Sequence, residues 1–346
     1  MFATLTLPPG MDLAAARRAP TVRVRSADDL RNAVRLARAQ ALTLDGTGMD
    51  RVLRLDTARG QIEVQAATRW SALAAVLARD GIELEAFAAA PGLPATVGEA
   101  VSSAAAGPDG LPVTAHVVAA TLVMPDGELR RADRDEDDRE KRGLLALALG
   151  GQGVIGVFYS LTLSVDSLRR SAGALMPPAV LDLPAAPPPG QAAGDANAAA
   201  CLLPPDTLDA FLLDLRAIVA ERQLALAGVA VRRTLPEASC RLNWATREWA
   251  TVDIRLGTRS TLGASVVAAE VRRALLAAAM ARGGSFPVSD LRDATRAQLE
   301  ACYPMLPEFL AEKRRGDPAE RLQNAWYRNA TAALRPDACE VRWDRR

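Results

Sequence analysis

The stretch from Met176 to Pro205, MPPAVLDLPAAPPPGQAAGDANAAACLLPP, constrains the fold more than any other feature of this chain. Proline fixes its own φ and lacks an amide donor, so this run cannot form a central strand or a long helix. It reads as a linker or an irregular crossover. One unit must form before it and another after it, which suits a length of 346 residues.

The first unit reads as β-α-β-β-α. TVRVR alternates like a strand, and SADDLRNAVRLARAQ has a Ser26 N-cap, acids in its first turn and apolar residues at helical spacing. VLRLD and IEVQA are two short strands, and RWSALAAVLARDGIEL is a helix that stops near Gly81. From Pro91 the texture changes to small residues, PGLPATVGEAVSSAAAGPDG. HVVAATLVMPDGELRRA then reads as a hairpin turning at Asp126-Gly127. DRDEDDREKR is a charge run expected in solvent, and LLALALGGQGVIGVFYSLTLSV is a helix, a glycine turn and a strand. Beyond the crossover, DTLDAFLLDLRAIVAERQ is an amphipathic helix capped at Asp206 or Thr207. AGVAVRRT and ATVDIRL are strands, LGASVVAAEVRRALLAAAMARGG is a long helix, and the last segment is helical and then extended. The second unit is an α+β sandwich.

Several function classes are excluded. With 42 basic against 41 acidic side chains and no basic patch interleaved with aromatics, nucleic acid is not a partner. The longest apolar runs are broken by glycine and too short to span a bilayer. The N-terminus, MFATLTLPPGMD, lacks the pattern of a secretory signal, so the expected location is cytoplasmic. Cys201, Cys240, Cys302 and Cys339 form no CxxC pair, and one histidine, His116, leaves no His/Cys zinc site; reduced thiols are expected. A Ser-His-Asp triad would have to use His116, and no GxSxG elbow is present.

The glycine turns carry the most information. GGQGVIG, Gly150 to Gly156, has GxGxxG spacing, but a helix precedes it and a strand follows. That is the reverse of the dinucleotide fingerprint, so a Rossmann fold is rejected. ATVGEAVSSAAAG is a second place where backbone can approach a flat ligand.

In order, these pieces resemble the FAD-linked oxidases of the vanillyl-alcohol oxidase / p-cresol methylhydroxylase (PCMH) superfamily. They come nearest to the branch of sugar-lactone oxidases, decaprenyl-phosphoryl-ribose oxidases and sterol Δ24-reductases. The carrying segments are RVRSADDLRNAVRLAR, ATVGEAVSSAAAG, LVMPDGELRRA, GGQGVIGVFYSLTL and YPMLPEFLAEKRRGDPAERLQNAWYRN. The resemblance implies an α+β PCMH-type FAD-binding fold of two subdomains over residues 1–172, and a Pro/Ala-rich crossover over 173–205. A reduced α+β cap then spans 206–288, and a segment over 289–346 returns to the first domain. It implies FAD between the lobes, held by Thr96, Val97, Gly98, Ser102 and Gly107, by Gly151, Gly153, Val154 and Gly156, and facing Tyr303. A hydride would pass to the flavin from a CH–OH group of a small polar, sugar-like substrate.

The departures from that pattern are local. In such oxidases an RGGGxS-type loop wraps the pyrophosphate with backbone amides. Here LTLDGTGMDRVLRLD, Leu42 to Asp56, matches the strand that follows such a loop, which implies that the loop is deleted. The alternative alignment makes Gly46-Thr47-Gly48 a minimal phosphate loop. Glu99 replaces a second glycine of a TVGGAIxxNxHG-like element, Ala104 its polar residue and Ala106 its histidine. No histidine precedes residue 116, so any flavin would be non-covalent, and His116 reads as structural. Asp290 stands where the branch offers Lys or Tyr to substrate, so no catalytic residue carries over. Two readings stay open: a divergent FAD-dependent oxidoreductase, or a degenerate homologue acting as a partner subunit or ligand-binding protein.

Overall fold

The computed structural model describes residues 2–5, 20–37, 42–90, 92–134, 139–172, 179–180, 198–222, 224–257 and 262–335. The first three strands are β1 (Phe2–Leu5), β2 (Thr21–Arg23) and β3 (Leu42–Asp45), in sheet order β1-β3-β2. β2 and β3 run parallel and are joined by helix α1 (Ala27–Leu36). The Ser26 hydroxyl accepts from the Asp29 amide, closing the helix start as its sequence requires. Leu30, Ala33 and Val34 recur on one face and bury against Leu42 and Leu44 of β3.

The second subdomain is a five-stranded antiparallel sheet. Its members are β4 (Val52–Asp56), β5 (Gln61–Gln65), β6 (Val117–Val123), β7 (Leu129–Asp133) and β8 (Val157–Ser164). Their order is β4-β5-β8-β6-β7. β8 arrives last in sequence but sits in the middle, so the sheet closes only after more than a hundred residues. Between β5 and β6 lie α2 (Trp70–Leu77), α3 (Glu85–Ala89) and α4 (Val97–Ser102). Helix α2 ends through a short 3₁₀ turn at Gly81, which takes φ +70°. The β6–β7 hairpin turns at Gly127, with φ +86° and the Asp126 carboxylate accepting from the Glu128 amide. Helix α5 (Arg139–Ala148) includes the end of the charge run; residues 135–138 lie outside the described residues. Helix α6 (Val165–Ala172) follows β8.

The cap is a second antiparallel sheet of four strands, β9 (Ala179–Val180), β10 (Ala198–Leu203), β11 (Ala225–Thr234) and β12 (Trp249–Gly257), in order β10-β12-β11-β9. Helices α7 (Leu208–Glu221) and α8 (Leu262–Ala281) cover one face, burying Phe211, Leu215, Val271 and Leu275 against Val252 and Ile254. Thr207 stands at the N-cap of α7, but its hydroxyl turns back to the Pro204 carbonyl and caps nothing. Most of the Pro/Ala-rich crossover lies outside the described residues. Its described residues include β9 and β10, so both ends of the expected crossover belong to the cap sheet.

The C-terminal segment corrects the expectation of an extended tail. It forms α9 (Arg296–Cys302), α10 (Leu306–Gly316) and α11 (Ala325–Ala333). A Thr295–Gln298 capping box starts α9, and Asn324 caps α11 by accepting from the Tyr327 amide. Phe309, Leu310, Trp326 and Tyr327 join the core of the first unit. Among the described residues no helix is long and apolar enough to cross a membrane.

Candidate functional site

The two glycine-bearing segments meet. The Gly150 amide donates to the Val101 carbonyl at 3.0 Å and the Gln152 amide to the Ser102 carbonyl at 2.9 Å. The turn at the end of α5 is therefore pinned to the end of α4. Gly150, Gln152 and Gly153 all take positive φ, +65°, +55° and +72°, so this turn needs residues that tolerate the left-handed region. Val154 is buried, and Gly156 lies against Leu122 and Met124 of the central sheet.

At the start of α4 the backbone donors are already taken. The Val97 amide donates to the Thr68 carbonyl, Gly98 to the Ala66 carbonyl, and Glu99 to the Thr96 hydroxyl. The Thr96 hydroxyl donates in turn to the Glu99 carboxylate at 3.1 Å. A carboxylate thus sits at the start of α4. Gly98 is required by packing: a Cβ there would lie 2.6 Å from the Ala66 carbonyl oxygen. Gly98→Ala is expected to lower stability by about 1–3 kcal/mol in a denaturant titration, because neither backbone can withdraw. The Gly107 amide donates to the Leu111 carbonyl at 2.7 Å, and the Asp109 carboxylate occupies the space beside Gly107. The Ser102 hydroxyl is buried without a hydrogen-bond partner, one group where a diphosphate needs several.

The Gly46-Thr47-Gly48 turn is closed as well. The Asp45 carboxylate accepts from the Thr47 amide at 3.0 Å and from its hydroxyl at 2.6 Å, and pairs with Arg23 at 3.0 Å. These contacts, led by the Thr47 hydroxyl, hold the Asp45 carboxyl at about 2, so it stays anionic. A Cβ at Gly48 would lie 2.6 Å from the Arg25 side chain, so the turn packs on the end of β2. The seam between the two sheets, lined by Val24, Leu44, Met49, Ala66 and Phe158, encloses a cavity of only about 30 Å³. Pockets for drug-sized ligands run to roughly 300–1,000 Å³.

The four-stranded cap reaches the same two glycine-bearing segments. The Trp244 indole donates to the Ala104 carbonyl at 3.0 Å, and Arg232 reaches the Ala106 carbonyl at 3.4 Å while pairing with Asp253. The Cys240 sulfur lies 3.3 Å from the point where a Gly150 side chain would begin. Burial pushes the Cys240 thiol up to about 11, so it is not a nucleophile at neutral pH.

Tyr303 is fully buried. Its hydroxyl donates to the Phe286 carbonyl, and its ring meets Phe286 edge to face. Burial holds the phenol well above its ordinary value, which removes it as a base. Asp290 pairs with Arg292 at 2.7 Å. His116 is enclosed, with Nδ1 2.8 Å from the Ser167 hydroxyl, Nε2 3.4 Å from Asp109 and its ring on Phe87. The three groups of a triad are present, but the imidazole is fully buried. No group of His, Cys, Asp and Glu among the described residues can hold a metal. The contact missed from sequence was the cap segment around Trp244: its signal was a 14-residue connection where two adjacent strands need far fewer.

Larger clefts are present, and the first of them touches the glycine turn at Ile155. One of about 570 Å³ runs between α5 and α10, lined by Leu144, Leu147, Ile155 and Glu312. Another of about 380 Å³ lies among the C-terminal helices, lined by Arg296, Leu310 and Arg314. Neither opens on α4.

Comparison with known proteins agrees with this architecture. Residues 38–133 match the family model described as FAD binding domain. No curated protein matches the chain. Among solved structures it is similar to an alkyldihydroxyacetonephosphate synthase, with a TM-score of 0.54 and 11% identity over 87% of this chain and 75% of that one. It is also similar to a variant of BBE-like 1 from Physcomitrella patens, with a TM-score of 0.59 and 12% identity over 93% of this chain and 96% of that one. The fold is an α+β PCMH-type FAD-binding fold. The domain match supports FAD as the ligand around which this fold is built. The amides at the start of α4 and at Thr47, which the resemblance would turn toward a diphosphate, are engaged within the protein, and the seam between the two sheets leaves little space.

Proposed function

We propose that this chain is a cofactor-free descendant of FAD-dependent oxidoreductases that acts by binding, as a partner subunit or a ligand-binding protein, and not by hydride transfer. The observation that carries this reading is the state of the phosphate end. Amides of Thr47, Val97, Gly98 and Glu99 are all spent on the protein itself, with the Asp45 carboxylate beside the first and the Glu99 carboxylate beside the last. Charge-assisted hydrogen bonds are worth about 1.5–3 kcal/mol each, so losing several turns tight binding into weak binding.

An active oxidase acting on the CH–OH group of a sugar-like substrate would need the ring as well as the diphosphate to be seated. Any such flavin would be held non-covalently, since no histidine precedes residue 116. The buried, unpaired Cys201 and Cys240 and the half-buried Cys302 support a reducing, cytoplasmic setting.

The test is the absorbance spectrum of the purified chain, followed by titration of FAD fluorescence. A colourless protein that leaves FAD fluorescence unchanged up to millimolar FAD is expected. A yellow protein, or quenching at micromolar FAD, overturns this reading and restores the oxidase.

A further inference from the structure

Strands β11 and β12 are antiparallel neighbours whose last pair is Thr234 and Trp249. Two residues suffice to join such strands. The chain instead uses LPEASCRLNWATRE, Leu235 to Glu248, and sends it out of the cap onto the first unit. The Leu235 amide donates to the Gly110 carbonyl and the Arg241 amide to the Ala146 carbonyl, both at 2.7 Å. The Arg241 guanidinium pairs with Glu308 at 2.7 Å, and the Thr114 hydroxyl donates to Glu237. Cys240, Leu242, Trp244 and Ala245 are buried in the core of the first unit.

The segment is also braced from within. The Glu237 carboxylate accepts from the Ser239 amide at 2.8 Å and its hydroxyl at 2.6 Å, and the Glu237 amide donates to the Ala245 carbonyl. The Trp249 indole donates to the Trp244 carbonyl at 3.1 Å. A surface loop has no use for so many anchors in another lobe. Two of its contacts, Ala104 and Gly150, belong to the two segments that the sequence marked for approach to a flat ligand, and a third, Gly110, lies three residues beyond the first of them. An indole is itself a flat aromatic surface carrying one donor.

We propose that residues 235–248 are an internal plug, which occupies the ring end of the cleft in place of a ligand and locks the cap onto the first unit. This rests on the cofactor-free reading but concerns the ring end, not the phosphate end, and the two separate experimentally. The probe is riboflavin, which has the ring and no diphosphate. The parent chain is compared with a variant in which Asn-Gly replaces residues 235–248.

The shortened variant is expected to quench riboflavin fluorescence at least about tenfold more tightly than the parent. Equal binding by both, or binding by neither when the variant is folded, overturns the plug. Should the shortened chain fail to fold, Trp244→Ala in the full chain replaces it. Riboflavin is then expected to raise the melting temperature of W244A and not that of the parent; no shift in W244A overturns the plug. FAD bound at micromolar concentration by the parent overturns the cofactor-free reading instead.

Discussion

Asp317→Ala is expected to destabilise the protein by about 3–5 kcal/mol, measured by chemical denaturation. Lys313 is completely buried, and its ammonium lies 2.8 Å from the Asp317 carboxylate and 4.5 Å above the Tyr327 ring. The same carboxylate oxygen accepts from the Leu322 amide at 2.9 Å, which fixes the turn between α10 and α11. Burial draws the Lys313 ammonium below its ordinary value, and the Asp317 hydrogen bond opposes this. Removing Asp317 leaves the burial and deletes the opposition.

The sign of the pH dependence follows. A lysine whose folded value is depressed destabilises the fold wherever the unfolded chain still holds the proton. The deficit of D317A should therefore shrink as pH rises toward about 10, where an unfolded lysine begins to deprotonate. Replacing both partners, Lys313→Met with Asp317→Leu, should recover roughly half of the loss or more, because no charge then remains buried. A D317A deficit under about 1 kcal/mol, the range of exposed pairs, would show that Lys313 escapes to solvent.

Tyr303 gives the second large effect. Tyr303→Ala is expected to cost about 3–5 kcal/mol, the usual penalty for removing a buried aromatic side chain. Tyr303→Phe should cost about 1–3 kcal/mol, because the ring stays and only the Phe286 carbonyl loses its donor. The graded loss belongs to an anchor between the stretch after α8 and the start of α10. A tyrosine facing a ligand would give the opposite pattern, with stability unchanged in both variants and binding altered.

These two pairs share a feature that matters for function. Lys313, Asp317, Tyr303 and Tyr327 come from the segment whose YP, KRR and DP motifs carried much of the family resemblance. In the structure they hold the C-terminal helices on the first unit. The motifs are as well explained by this docking as by any ligand.

What the sequence by itself determined is local. The Ser26 cap, the Gly81 stop, the Asp126-Gly127 turn and the alternation of the strands depend on neighbours within a few residues, so each is visible in the chain. The order of the five motifs likewise carried the α+β fold, because motif order reflects which elements can be joined. The helical end of the tail was misjudged, although Asn324 caps it through the same three-residue spacing as Ser26.

Only the tertiary structure decided the state of the cleft. Gly98 looks alike in sequence whether it admits a ligand or a neighbouring backbone, and the choice is made by Ala66, distant in sequence, arriving beside it. Trp244 lies 140 residues from the carbonyl it meets. No local pattern encodes that contact, because a hydrogen bond between lobes depends on how the lobes pack, and packing is the sum of many non-local burials.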